Sequence, residues 1–311
     1  AHRPMLTYST GMLPNGWAFS FSGSYRYAEE GYIDATSYEG YSYFASISKK
    51  LGDNHLLNFV GMGAPAKRGR STAAIEEITE LVDDNFYNPY WGFQDGEKRN
   101  SRVRDIHQPI LMLRHDWELP GDARVTTAMS YSFGRNGTTR LDWFNAADPR
   151  PDYYRYLPSW FETEFPENPE LAENLRQRII EDPSRLQLDW DSFYEANRNN
   201  VRTIENANGT GQAVQGRFAT FRIMDERFDS KEFNFNVNYE NILTDHITIE
   251  TGLSVQRHTS NNFRQADDLL GGDFFVDWDQ FSAIDFGGDF LNNNEEVPNA
   301  IIRAGDKFSY H

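Results

Sequence analysis

Asp273, Asp277 and Asp279, in the run GGDFFVDWDQF, set carboxylate oxygens at a spacing that could grip a calcium ion. The run lacks the full calcium-loop pattern, so solvated acids in an acidic loop are the simpler account. The seven histidines are scattered, with no His-x-x-x-His pair to hold zinc from one helix face. Cysteine is absent, which excludes disulfides, thiolate metal sites and cysteine nucleophiles. No Gly-x-Ser-x-Gly elbow and no phosphate-binding loop occurs. Among 47 acidic residues a pair at glycosidase separation arises by chance and marks no active site. No catalysis, no metal and no cofactor is expected.

Trp143 to Trp160, WFNAADPRPDYYRYLPSW, offers a different chemistry. Its rings Trp143, Tyr153, Tyr154, Tyr156 and Trp160 could stack on a sugar, a peptide or a chelate, and they are the candidate substrate-binding residues. Pro149 and Pro151 favour extended backbone around them. Packing of the loop's own small core is the plainer use of the same rings. Asn136-Gly137-Thr138 and Asn208-Gly209-Thr210 match the glycosylation pattern and are expected to be turns.

The elements that would position this loop are strands. In WAFSFSGSYRY, Trp17 to Tyr27, aromatic residues alternate with small or polar ones, as in a strand with one apolar face. Eight such strands are expected, in four hairpins: 5–13 with 17–28, 40–51 with 55–64, 109–119 with 124–135, and 230–243 with 246–258. Each hairpin closes on turn-forming residues such as Pro14-Asn15-Gly16 or Pro120-Gly121-Asp122. The opposite connections are long loops at 67–108, 136–229 and 260–304. Helices are expected within them at 71–82 and 168–182, with a short third after Asp189.

Alternation alone fits a soluble sandwich as well as a barrel. Strand length separates them, since runs of about 9 to 13 residues suit a tilted bilayer crossing better than a soluble sheet. Charge points the same way: Lys49, Arg135 and Arg257 fall at strand ends on the apolar faces, whereas Arg26, Arg114, Glu240 and Glu250 occupy the opposite faces. A basic group at mid-bilayer costs about 2–4 kcal/mol and far less at the interfaces. Trp17 and Trp117 cluster near the short turns, and Tyr25, Tyr27, Tyr41, Tyr43, Tyr131 and Phe133 near the long loops, like two interfacial girdles. His115 is expected at the membrane boundary beside Trp117. A net charge of −17 argues against nucleic-acid binding. No segment has the roughly 20 apolar residues of a membrane helix, so a spanning chain must be a closed barrel.

The N-terminal hairpin LTYSTGMLPNGWAFSFSGSYRY, then SYFASISKKLGDNHLLNFVGMGAPAKRGRS, YNPYWGFQDGEKRNSRVRD and DPRPDYYRYLPS, resembles the barrel of TonB-dependent outer-membrane receptors of the Bacteroidetes type. The likeness runs from Met5 to about Arg264. It implies an all-β fold: an antiparallel transmembrane β-barrel segment, about eight strands of a larger, 22-stranded barrel, with long, partly helical extracellular loops. The family's plug domain and TonB box are not expected within this chain, which starts with AHRPM and is expected to be an early or central portion of the barrel. The implied function is TonB-dependent import of a scarce nutrient (siderophore, glycan or peptide) across the outer membrane. The implied partners are the TonB energising system acting through the plug, a surface lipoprotein, the small-molecule, glycan or peptide substrate, and outer-membrane lipid. Two alternatives remain open on the residues alone: a passive porin or small barrel with a structural or adhesive role, and a soluble carbohydrate-binding β-sandwich.

Overall fold

A computed structural model describes residues 2–282, 285, 287, 290–293 and 296–309. Part of the expected 260–304 loop therefore lies outside the described residues. Strands β1 (Met5–Ser9) and β2 (Trp17–Ala28) form the first hairpin, and β3 (Tyr38–Leu51) and β4 (His55–Gly63) the second. The chain continues through β5 (Ala66–Gly69), helix α1 (Glu76–Val82), β6 (Trp91–Gln94), β7 (Glu97–Asn100), β8 (Val103–His107), β9 (Ile110–Leu119) and β10 (Ala123–Trp143). Helices α2 (Pro158–Glu164), α3 (Pro169–Glu181) and α4 (Trp190–Asn199) precede β11 (Val201–Ile204) and β12 (Val214–Arg217). The long β13 (Phe221–Thr244) and β14 (Ile247–Asp268) follow, then the two-residue β15 (Phe275–Val276), β16 (Ile301–Ile302) and β17 (Lys307–Phe308).

The principal sheet is antiparallel, in the order β1-β2-β3-β4-β9-β10-β13-β14, so hairpins lie side by side in chain order. Short turns join the strands at one end. At the other end the sheet extends further than the alternation indicated. Strands expected at 124–135 and 230–243 run on to Trp143 and back to Phe221, and Asn136-Gly137-Thr138 is not a turn: Gly137 pairs with Arg227 and Thr138 with Glu226 inside that extension. The strand expected at 246–258 likewise continues to Asp268, and the first, expected over 5–13, stops at Ser9.

The expected 67–108 loop is also partly sheet. Pro65 and Pro109 interrupt two strands that resume as β5 and β8, since proline has no N–H for the ladder. β5 bonds to β3 and β8, and β8 to β10, so both broken strands are taken up again on the far side. Gly134 sits opposite this break with φ +140; a side chain there would strike the His107 carbonyl.

All three expected helices form. α3 begins at Pro169 behind Asn168, and α4 is capped by Asp189, whose Oδ1 accepts from Ser192 N at 3.0 Å. The helix expected from Ser71 starts only at Glu76, behind an Ile75 that supplies no side-chain cap. α2 arises within the aromatic loop, on Pro158 at its first turn.

The buried hydrophobic clusters of the described residues lie at this outer end. One cluster gathers Phe144, Phe218, Met224, Phe274, Phe275 and Ile301; a second gathers Leu188, Trp190, Phe193, Ile223 and Leu270; a third joins the α1 and α3 helices through Ile78 and Ile179. Asn197 of α4, wholly buried, fastens the cap to the long hairpin: Nδ2 donates to the Phe221, Leu269 and Leu270 carbonyls at 2.7, 2.9 and 3.1 Å, and Oδ1 accepts from Phe221 N at 3.0 Å.

Candidate functional site

Two surfaces of the sheet and one folded cap could carry function. Strand register lines up one lateral row, Phe19–Ile47–Phe59–Leu113–Met129–Phe235–Val255, across seven strands without a polar side chain. These side chains have no layer over them among the described residues. Phe59 is 43% and Val255 48% exposed, and Phe21 in the adjoining row is 47% exposed. Aromatics flank the band as expected. At the short-turn end Lys49 lies 4.8 Å over the Trp17 ring, and His55 stacks between His115 and Trp117. Toward the long loops Tyr25 packs on Tyr41 at 4.7 Å and Tyr131 on Phe133 at 5.3 Å.

The opposite face is a polar lattice. Ser9 bonds Ser20 at 2.8 Å, Asn58 donates to Ser46 and Ser48 at 3.0 and 2.7 Å, and Arg114 meets Asp116 at 2.8 Å. Glu240 and Glu250 stand opposite each other in register and, with Arg114 and Arg124, line a cavity of about 540 Å³ near the short turns.

In the cap, the five candidate ligand-binding rings fall into three groups. Tyr153 makes edge contacts with Tyr154 at 4.8 Å and Tyr156 at 5.3 Å. Tyr156 donates its hydroxyl to the Asp148 carbonyl at 2.8 Å. Arg155 donates to the Tyr154 hydroxyl at 3.0 Å and holds that phenol below its ordinary pKa. Trp160 packs instead with Phe161 and Phe165 at 5.0 and 5.7 Å. Trp143 stands at the end of β10 with the Arg150 guanidinium 5.5 Å over its ring, and it lines a cavity of about 290 Å³. That cavity also carries Tyr90 and Arg102 of the 87–105 string and Arg140 of β10, none of which sequence composition marked out. The available signal was cationic side chains beside rings in an otherwise acidic chain.

A larger cavity of about 580 Å³ opens between β7 and the extended sheet, lined by Lys67, Lys98, Arg99, Asp105, Asp225 and Asp267 among others. Burial pushes the Asp225 carboxyl up to about 6; repulsion from Asp267, Asp105 and Asp229 adds to it, against the pull of Arg227 at 3.6 Å. Burial and neighbouring Asp268 push Asp267 up as well. The three acids that suggested calcium are dispersed: Asp273 pairs with Arg217, Asp277 accepts from Asn293 Nδ2 at 3.0 Å, and Asp279 accepts from Phe281 N at 2.9 Å. Among the described residues no cluster of three metal-ligating side chains forms. No helix of the described residues is long and apolar enough to cross a membrane.

No protein-family model matches the sequence, and no curated protein is significantly similar to it. Among solved structures the chain is similar to the ferric-catecholate import receptor Fiu of Escherichia coli K12. The open form aligns with a TM-score of 0.48 at 11% identity over 94% of this chain, and the closed form with 0.47 at 10% over 94%. The alignments cover 37% and 34% of those chains, so this chain spans about a third of their length.

Proposed function

We propose that this chain forms part of the wall and outer loops of an outer-membrane β-barrel, and that the barrel is a TonB-dependent receptor importing a scarce nutrient. The uncovered apolar row across seven strands, backed by a polar face, carries this reading. Burying a large apolar side chain is worth about 1.5–3 kcal/mol. Leaving seven of them half bare in water would forfeit an amount comparable to a whole domain's stability of about 5–15 kcal/mol. Hydrocarbon removes that cost.

Dimensions agree. Trp17 and Tyr27 lie ten residues apart on β2, a span of about 33 Å along the strand. At the usual tilt of about 35–45° this gives about 25 Å of height, the apolar thickness of such barrels. Among the described residues no strand pairs with the edge of β1 away from β2, nor with residues 247–260 of β14 on the edge away from β13. Open edges cannot persist in lipid, so further strands, up to a 22-stranded closure, would complete the wall. That argues against a barrel of these strands alone. No second sheet covers the apolar face among the described residues, which argues against a sandwich.

On this reading the polar face looks into the lumen toward a plug domain through which TonB acts, and the cap stands outside the cell as the ligand-collecting surface. A surface lipoprotein would assist, and the cargo would be a siderophore, glycan or peptide. Trp143 with Tyr153, Tyr154 and Tyr156 forms the aromatic part of that surface, and Trp160, packed on Phe161 and Phe165, stands beside it in the same loop. A folded cap of this size suits a gated receptor better than a passive pore.

Fractionation and uptake together test the proposal. The polypeptide should sediment with outer membranes, external protease on intact cells should cut within residues 136–229, and uptake of its nutrient should stop without TonB. Recovery in the soluble fraction, or uptake indifferent to TonB, refutes it.

A further inference from the structure

The small cavity at the end of β10 gathers arginines beside aromatic rings. Its wall includes Tyr90, Arg102, Arg140, Asp142, Trp143 and Arg150. Three of the local guanidinium groups are answered: Arg140 by Glu226 at 2.9 Å, Arg222 by Asp142 at 2.6 Å, and Arg150 by Asp148. Asp152 also lies within electrostatic reach of Arg150. Arg102 is not answered. Among the described residues it meets no carboxylate; its guanidinium rests 5.4 Å over the Tyr90 ring and donates to the Tyr90 hydroxyl at 3.2 Å. Arg140 adds a second open donor, since its buried Nε has no hydrogen-bond partner. In a chain with 47 acidic residues against 30 basic ones, a half-buried arginine without a carboxylate is costly unless an anion from outside completes it.

We propose that this cavity captures the carboxylate of a ligand together with the flat or apolar group beside it. Arg102 and the open Arg140 N–H take the anion, and Trp143 with Tyr90 takes the face. One unanswered cation suits a monoanion, which favours a carboxylate over a phosphate dianion. The volume, about 290 Å³, is that of about ten waters, so the cavity holds an end group and not a whole substrate. Two sources carry this chemistry: the C-terminus of a short peptide, or a sugar acid. The inference rests on the receptor reading above and sharpens it by naming what the cap recognises.

The test uses the natural full-length polypeptide in detergent micelles, with binding followed by calorimetry and by tryptophan fluorescence. The probes are the dipeptide Gly-Phe and its C-terminal amide, and glucuronic acid and glucose. We expect one acid to bind at least tenfold more tightly than its neutral counterpart, and the acid that does so identifies the source. Arg102→Gln should weaken that acid about tenfold and Arg102→Lys less, while Arg176→Gln, in a surface ion pair of α3, should match the unaltered protein. Equal binding of acids and neutral partners, or absence of acid binding at millimolar concentration, overturns the inference without recourse to any variant. Unchanged acid affinity in a folded Arg102→Gln protein overturns it too. Membrane sedimentation of the same preparation keeps the two ideas apart: membrane placement without acid selectivity sinks the inference alone, whereas a soluble polypeptide sinks the receptor reading and leaves the acid comparison to judge the cavity.

Discussion

The two halves of the long β13–β14 hairpin obey different rules. Between Ser230 and the turn, Phe233, Leu253 and Val255 stand bare on the face that also carries the half-buried Phe235; Leu253 is 61% exposed. On the far side of Ser230 the same two strands place Ile223, Met224, Phe263 and Ala266 in buried surroundings. The residue types are similar, but the cover differs. Loops fold back over the outer half and build an ordinary protein core there, whereas no described residue covers the apolar face of the inner half. Strand alternation therefore reports which face is apolar and not what covers it.

Substitutions placed on either side of that divide should fail in different ways. The largest effect is expected for Trp190→Ala, which empties a wholly buried site in the cap and should cost about 3–5 kcal/mol. Protease should then cut the 136–229 region faster while membrane integration persists. Phe235→Lys, in the middle of the bare row, should cost about 2–4 kcal/mol and lower the folded fraction recovered in outer membranes. Asn236→Lys, on the polar face, should stay within about 0.5 kcal/mol; equal assembly defects in the two lysine variants would show that the faces are wrongly assigned.

Asn197→Leu should come next, since it leaves the Phe221, Leu269 and Leu270 carbonyls without their donor, and buried polar groups left unpaired cost about 1–3 kcal/mol. Hydrogen exchange should rise in α4 and at the outer end of β13, with little change in the bare half. A pH-dependent effect is expected for Asp225→Asn. The folded chain holds the Asp225 proton up to a pH of about 6, against an ordinary value of 3.8. Between those values the folded form binds more protons than the unfolded one, so stability falls as pH rises through this window and the handicap is complete above it. Arg227 and Asp229 on the same strand, Asp105 on β8 and Asp267 on β14 are the groups that face it. Melting temperatures in detergent should favour the asparagine variant at pH 8 and coincide at pH 3.

The bare half of the sheet was legible because alternation, turn residues and end-placed charges all pointed to the same four hairpins, and register confirms that Phe19, Phe59 and Phe235 share a row. The outer extension was not. Pro65 and Pro109 mimic strand ends, and Gly134, Asn136 and Gly137 mimic a turn, although the ladder continues on neighbouring strands past all of them. Local propensity is outvoted by pairing partners distant in sequence. The helix at 169–181 was visible from spacing by four, as with Leu171, Leu175 and Ile179, whereas the seven-residue α2 was not foreseen. Within the aromatic loop the three tyrosines touch one another, and Trp160 packs with Phe161 and Phe165. Trp143 differs because Tyr90 and Arg102, on another segment, are brought against it by the β8–β10 pairing that sequence spacing did not reveal.

The paired interruptions at Pro65 and Pro109 leave a crease between the bare half of the sheet and the cap. Across it β4 and β9 give up their mutual bonds after Met62 and Ile110, and β5 and β8 restore them only from Ala66 and Ile106. β13 and β14 cross the same level with their register intact. Deuterium should therefore enter first along the creased strands and last along the unbroken pair, which makes that pair the mast on which the rest of the outer structure is rigged.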